Sequence, residues 1–524
     1  MKPSGKVIRG KVRRCNRAPL TGKRRAVPGS WATLAVILLM LAIVQAPRDS
    51  LLTASLARVT TSPFRVPPGL PTHFAFGLAA DPDQAGIYGW MPASESGKKS
   101  DIRWDYAYQY LSGGVDTNGS GGDTGWETWN SDGQFPLYYA KGAASAAPHP
   151  YIPVFTYYEL LQSGPPCSGD CPPASEVDLN HLNDPTLMEA YFKNFTELMQ
   201  RLGPHTYTVH GQKNTGFGKT AIVHIEPDLS GYVEQAVNGM SHCYGHCTHT
   251  GNDPAYLRAA VASSGDSDVS RFANTYQGFN LALLHLRDEY APNVLLAFHV
   301  SDWATGIDIG SDTSTTLNVQ SLGQEAGSFA AQSGAVQQQS GVSAYNLIFN
   351  DVLDRDAGYY QTQYDLDVWW DRYNGTFPDF HRWEAYIKAV SEATEKPVMI
   401  WQVPEGNQWF DTEDNSLDSG DQDATGYFQD NRVEYFFQHI SELINAGIIG
   451  VLFGAGNGGS TVANNANYKT TDYVPNFPSF CTPYGSDPAH PRICNNHKSK
   501  STDGDGGYLR MEAQAYYAHP VALP

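Results

Sequence analysis

The chain is short of charge, and shortest of positive charge. Only 17% of its 524 residues are Asp, Glu, Lys or Arg, against 41% hydrophobic and 12% aromatic. Much of the surface must therefore be Gly, Ser, Thr, Asn, Gln and Tyr, which suits an exported protein handling neutral polar ligands. Ten of the 35 Lys and Arg fall in residues 1–30, where there is no acid, so the net charge of −19 leaves −29 for the remainder. So acidic a body lacks the basic footprint that nucleic acid requires. It repels an anionic polysaccharide too, so the expected partner is a neutral polysaccharide or oligosaccharide.

A long apolar run is missing as well. Leu34–Val44 follows a basic leader but is too short to span a membrane comfortably, and it reads as a secretory h-region. Cleavage motifs are poor, since Ala46 precedes Pro47 and Ser55-Leu56-Ala57 lies far downstream. An uncleaved signal anchor is the alternative. Residues 1–57 are read as leader and signal or anchor, 58–71 as a linker, and 72–524 as one catalytic domain, secreted or membrane-anchored and monomeric.

Cysteine is scarce: seven in all, one of them (Cys15) in the leader. The other six form local pairs, Cys167/Cys171, Cys243/Cys247 and Cys481/Cys494, expected as loop-closing disulfides in an exported chain. A zinc site is the competing reading, because His242, His246 and His249 crowd the second pair. The acidic loops Asp116–Asp123 and Asp414–Asp423 lack the spacing of an EF-hand. No metal or cofactor is expected.

What is present is a recurring unit. A short apolar run ends at polar or aromatic residues, a loop follows, and then often a helical pattern. The runs are Phe74–Leu78, Tyr106–Leu111, Tyr151–Phe155, Ala221–Ile225, Val294–Val300, Tyr345–Phe349, Pro397–Val403 and Gly450–Gly454. Helical periodicity marks Ala190–Leu202, Arg271–Tyr290, His381–Glu395 and Val433–Ala446. Eight strands alternating with helices predict a (β/α)8 barrel with long βα loops. Weak places are the loop-like Gly113–Gly125 and the small-residue stretch Leu317–Gly341, a poor helix or a linker between two domains.

In a barrel the chemistry sits at the C-terminal ends of strands. Six of the eight ends carry a carboxylate. The fourth run closes on His224-Ile225-Glu226-Pro227-Asp228, with Ile222, His224 and Glu226 sharing one face if the strand stays extended. If that face is the lumen, Glu226 reaches the pocket over a partly apolar floor that raises its pKa and makes it a proton donor. Asp228 would tune or orient. On the sixth run Asn350, Asp354 and Asp356 share parity, so Asp354 or Asp356 is the expected second carboxylate. Tyr157, His224, His299, Trp303, Trp401 and Gln402 are the expected sugar contacts. Trp409, Trp369 and Trp370 are further stacking candidates, and Asp505 of Asp503–Tyr508 is an acid that returns late in the chain.

A fourth strand ending in Glu226-Pro227 resembles the clan of (β/α)8 glycoside hydrolases with an acid/base glutamate at that place. The resemblance implies hydrolysis of glycosidic bonds by paired carboxylates, with a nucleophilic glutamate ending the seventh strand. Ile225 stands where that clan usually has asparagine, and Glu405, the nearest match to the nucleophile, lies beyond Pro404. The expected substrate is a cellulose-like or related β-glycan. The alternatives are a barrel that binds carbohydrate without cleaving it, and a metal-dependent hydrolase using His224, Glu226, His299 and Asp302.

Overall fold

The eight apolar runs form eight strands: β1 (Ala75–Ala79), β2 (Tyr106–Ser112), β3 (Ile152–Tyr158), β4 (Ala221–Ile225), β5 (Val294–His299), β6 (Leu347–Asp351), β7 (Val398–Val403) and β8 (Ile448–Phe453). In the computed structural model each strand pairs in parallel with its neighbour in sequence, and β8 pairs with β1 to close the barrel. The structure describes residues 64–79, 103–118, 122–130, 132–145, 149–164, 171–247, 253–408, 416–417, 426–454, 461, 505 and 507–524. The expected fold class, a closed (β/α)8 barrel, is the one observed. Strands before and after the small-residue stretch belong to the same sheet, so a division there into two half-barrels does not occur.

Alternation along the strands separates two cores. One fills the lumen with Tyr106, Tyr108, Val154, Ile222, Leu295, Ala297, Leu347, Phe349, Met399, Trp401 and Leu452. The other lies between sheet and helices and holds the opposite parity, among them Phe155, Tyr157, Val223, Ile225, Phe298, Ile348 and Ile400.

The helices are α1 (Phe135–Ala144), α2 (Ala174–Leu182), α3 (Pro185–Leu202), α4 (Leu229–Val237), α5 (Tyr276–Tyr290), α6 (Val319–Gln332), α7 (Ala357–Tyr364), α8 (Phe380–Thr394), α9 (Arg432–Gln438), α10 (Ile440–Asn445) and α11 (Tyr508–Tyr517). Caps set several boundaries that periodicity misplaces. α3 starts at Pro185 because Asp184 accepts from the Thr186 and Leu187 amides. α5 starts at Tyr276, not Arg271, because Thr275 caps it through the Gly278 amide, and Asn274 holds the Val261 and Ser263 amides instead of entering the helix.

The small-residue stretch is a true helix. α6 packs tightly on α8: a Cβ at Gly323 would lie 2.4 Å from the Tyr386 carbonyl oxygen, and one at Gly327 would lie 2.6 Å from Ala393 Cβ. Its low hydrophobicity reflects backbone contact, not exposure. The single helix expected over Val433–Ala446 is two, broken at His439, which leaves helical dihedrals (φ −121°, ψ 30°) and stacks on Tyr435 at 3.8 Å.

At the chain's end α11 returns to the barrel's beginning. Tyr516 Oη donates to the Phe74 carbonyl (2.5 Å), and Tyr517 Oη donates to Asp105 Oδ2 (2.7 Å), which also bonds His73 (2.9 Å). Cys243 and Cys247 form the expected disulfide, which removes both thiolates from any zinc site. Cys171 is disulfide-bonded too, while Cys167, Cys481 and Cys494 lie outside the described residues. No described helix is long and apolar enough to cross a membrane, and the apolar leader segment lies outside the described residues.

A carboxylate and histidine site at the mouth of the barrel

The floor of the site is aromatic. Trp401 is 4% exposed, with its ring 4.9 Å from His224, 5.6 Å from Tyr110 and 6.0 Å from His299. Its Nε1 is buried and has no hydrogen-bond partner among the described residues. His224 and His299 stand on the lumen faces of adjacent strands, and their side chains form a chain. Thr156 Oγ1 lies 3.3 Å from His224 Nδ1, His224 Nε2 lies 2.9 Å from His299 Nδ1, and His299 Nε2 lies 3.2 Å from Asp351 Oδ1. An ionised carboxylate only accepts, so His299 Nε2 donates to Asp351. Neutral rings then require His224 Nε2 to donate to His299 and the Thr156 hydroxyl to donate to His224. Burial, with the neighbouring His299 adding to it, holds His224 well below the usual imidazole pKa, consistent with a neutral ring.

Above this floor the half-buried groups are Tyr110, Tyr158, Asp228, Asp351, Asp354 and Gln402. Tyr158 Oη donates to Asp228 Oδ2 (2.7 Å), and Tyr110 Oη donates to Gln402 Oε1 (2.8 Å). Gln402 reaches the lumen from a left-handed backbone (φ 57°) that interrupts the alternation of β7. Asp354 pairs with Arg355 (3.0 Å) and accepts from the Tyr360 hydroxyl. Asp351 and Asp354 stand close enough to Asp228 for their charges to act on it. Burial raises the Asp228 pKa, and the charges of Asp351 and Asp354 raise it further, while the Tyr158 hydrogen bond and His299 oppose the shift. Tyr110 is raised by burial first, then by Tyr108 and by the same three carboxylates. A carboxyl whose pKa is raised beside further carboxylates can serve as proton donor to their charged partner.

Glu226 is placed differently from the expectation. The parity of Ile222 and His224 stops there, because Glu226 takes a left-handed φ of 35°. Its carboxylate turns toward the helical layer, where Oε1 accepts from the Glu159 (3.0 Å) and Leu160 (3.2 Å) amides, beside Tyr191 of α3. Burial pushes its pKa up to about 8, against the pull of those amide bonds. Pro227 redirects the chain, and Asp228, at the start of α4, arrives at the mouth in its place.

Several other expected positions need correction. Tyr157 faces the outer core, donates to Asn194 (2.8 Å) and packs on Tyr191 and Phe195, so it is not a lumen contact. The lumen parity of β6 belongs to Leu347, Phe349 and Asp351. Asn350 faces away and donates to the Val300 carbonyl and to Asp302 Oδ1 (both 2.7 Å). Asp356 is fully buried and accepts from the Gly406 amide (2.7 Å), tying the loop after β6 to the loop after β7. Trp303 lies over Gly231 of α4, where a Cβ would come within 2.6 Å of its ring. Trp369 and Trp370 are buried. Glu405 is buried near Tyr108. Asp505 caps α11 through the Gly507 and Leu509 amides, and its carbonyl accepts from Asn407 (2.8 Å). Trp409 lies outside the described residues.

Asp351 is the mouth residue that sequence reasoning did not select. Anchoring the alternation of β6 on Leu347 and Phe349 would have found it. The proposed metal set of His224, Glu226, His299 and Asp302 does not assemble, since Glu226 turns outward and Asp302 accepts from Asn350.

No protein-family model and no curated protein matches this chain. Among solved structures it is similar to an intracellular xylanase from Thermoanaerobacterium saccharolyticum in complex with xylotetraose, at 10% identity and a TM-score of 0.34, over 73% of this chain and 86% of that one. It is also similar to a β-glucosidase from Thermotoga maritima in complex with castanospermine, at 10% identity and a TM-score of 0.32, over 74% and 88%.

Proposed function

We propose that this chain is a glycoside hydrolase acting on a neutral polysaccharide, with Asp228 as the proton donor and Asp351 as the second carboxylate. The observation that carries the reading is the convergence of Asp228, Asp351 and Asp354 around Tyr110, over a floor of histidine and tryptophan. Asp228 would pass its proton to the glycosidic oxygen as the C1–O bond breaks, the oxocarbenium-like sugar would face the Asp351 carboxylate, and water would form the new bond at C1 and return a proton to a mouth carboxylate. His299 holds Asp351 in place, and the Thr156–His224–His299 chain fixes that ring. Asp354, paired with Arg355, keeps negative charge near Asp228 and so supports its raised pKa. Tyr110 and Tyr158 offer ring faces and hydroxyls to a sugar, and a substrate hydroxyl reaching the floor would satisfy Trp401 Nε1. A mouth with this density of carboxylate disfavours uronic or sulfated sugars, in line with the acidic body. The basic leader and short apolar segment support export by a signal or anchor.

The test crosses two variants in an assay of reducing-sugar release from a panel of neutral glycans. Asp228→Asn is expected to lose roughly 10²–10⁴-fold in rate. Glu226→Gln is expected to keep activity within roughly tenfold, because its carboxylate serves backbone amides. Full activity in Asp228→Asn, or no release from any glycan by the parent protein, would overturn the reading.

A further inference from the structure

One spacing occurs twice in the chain, as His381-Arg382-Trp383-Glu384 and His439-Ile440-Ser441-Glu442. In a helix, residues three apart share a face. The first pair lies in the opening turn of α8, and the second starts at the break between α9 and α10. The two pairs meet. His381 Nε2 is 3.3 Å from Glu442 Oε2, and His439 Nδ1 is 3.5 Å from the same oxygen. One potential ligand atom from each of His381, Glu384 and Glu442 lies within 4.8 Å of the other two.

Charge at this spot is poorly balanced. Both histidines turn to Glu442, which also accepts from the Tyr435 hydroxyl at 2.9 Å. Glu384 is only 8% exposed, and its Oε1 is buried with no hydrogen-bond partner among the described residues. Arg382, beside His381 in the chain, is committed to Asp312 (2.5 Å). A buried carboxylate oxygen left without a donor is costly unless a cation or a proton compensates it.

We propose that His381, Glu384, His439 and Glu442 bind a single divalent transition-metal ion of the zinc type. Two imidazoles and two carboxylates are a borderline nitrogen and oxygen ligand set. Tetrahedral ligands at about 2.1 Å from a metal stand about 3.4 Å from one another. The 3.3 Å separation of His381 and Glu442 fits, and Glu384 stands within 4.8 Å of both; His439, 3.5 Å from Glu442 but outside that group, would complete the set by a movement of its partly exposed side chain. The surrounding contacts hold ligands in orientation, as metal sites require. Tyr435 stacks on His439, donates to Glu442 and accepts from Asn374 Nδ2 (3.1 Å). The ion would tie α8 to α10 across the broken helix, on residues separate from those of the barrel mouth.

The experiment is calorimetric titration of the chelator-treated full chain with zinc chloride alone, repeated on His381→Ala, His439→Ala and Glu384→Gln. His285→Ala serves as control, because His285 also faces a glutamate, Glu289, at 3.3 Å. One zinc per chain is expected in the parent and the control, with binding roughly tenfold weaker or worse in each of the three site variants. His381 and His439 are partly exposed, so their variants keep the fold, checked by circular dichroism. A parent chain that takes up no zinc, or site variants that bind as the parent does, would overturn the proposal.

Discussion

Glu226 and Asp228 are separated by a single proline, yet they serve different regions of the molecule. Glu226 sits in the outer core, buried, with its pKa pushed up to about 8 and its carboxylate occupied by two backbone amides. Asp228 is half-buried at the mouth, bonded to one tyrosine and close to two further carboxylates. By burial and pKa alone Glu226 is the more conspicuous acid. The outer layer has others of the same kind: Glu234 is pushed up to about 8, and Glu127 to about 7, chiefly by burial. A raised pKa marks desolvation wherever it occurs; an acid that does chemistry must also be reachable. The mouth joins both conditions, and the outer layer meets only one.

The sharpest way to break this comparison, after the Asp228 and Glu226 pair, is to remove the second mouth carboxylate. Asp351→Asn is expected to lower hydrolysis by roughly 10²-fold or more while thermal unfolding shifts little, measured by initial rates and calorimetry. Activity near the parent level would move the second role to Asp354. Next in size is a change in the outer layer. Gly327→Leu drives a side chain into α8, where a Cβ already meets Ala393 at 2.6 Å, and should destabilise by about 1–3 kcal/mol in denaturant unfolding. A neutral outcome would mean that the small-residue face of α6 is not constrained.

The outer acids also predict a pH dependence of stability. Glu226 and Glu234 have ordinary values of 4.5 and folded values of about 8. Between these limits the unfolded chain has released the protons that the folded chain keeps, so stability is fully present below about pH 4.5 and is lost as pH rises toward about 8. The unfolding midpoint should fall across that window from these groups, and the slope should flatten in Glu226→Gln and Glu234→Gln. An unchanged slope in both would show that the two acids do not titrate there. The smallest effect expected is from Tyr157→Phe. It removes the hydrogen bond to Asn194, should cost about 1 kcal/mol of stability, and should leave hydrolysis unchanged. A selective loss of activity would return Tyr157 to the list of sugar contacts.

Apolar runs of five to seven residues bounded by polar ends were sufficient to locate all eight strands, because each strand is largely buried on both faces and needs little from its partners to be recognised. Ala221–Ile225 appears in the structure with the boundaries read from its residues. Local pattern failed where one residue leaves its basin. Alternation carried through Glu226 predicts a lumen carboxylate, but a φ of 35° turns the side chain around, and only the amides of Glu159 and Leu160 explain why that conformation holds. The same limit hid the break at His439 and left the helix over Val319–Gln332 as one of two readings, because its glycines serve close packing on a partner more than fifty positions later in the chain.

The sequence by itself therefore determined the class of the fold, the acidic charge of the body, and the short list of chain segments from which a site is built. Which acid of each segment reaches the mouth was decided only by tertiary structure. Periodicity reports which face is apolar, whereas access depends on single backbone dihedrals and on contacts between residues distant in the chain, such as His299 with Asp351.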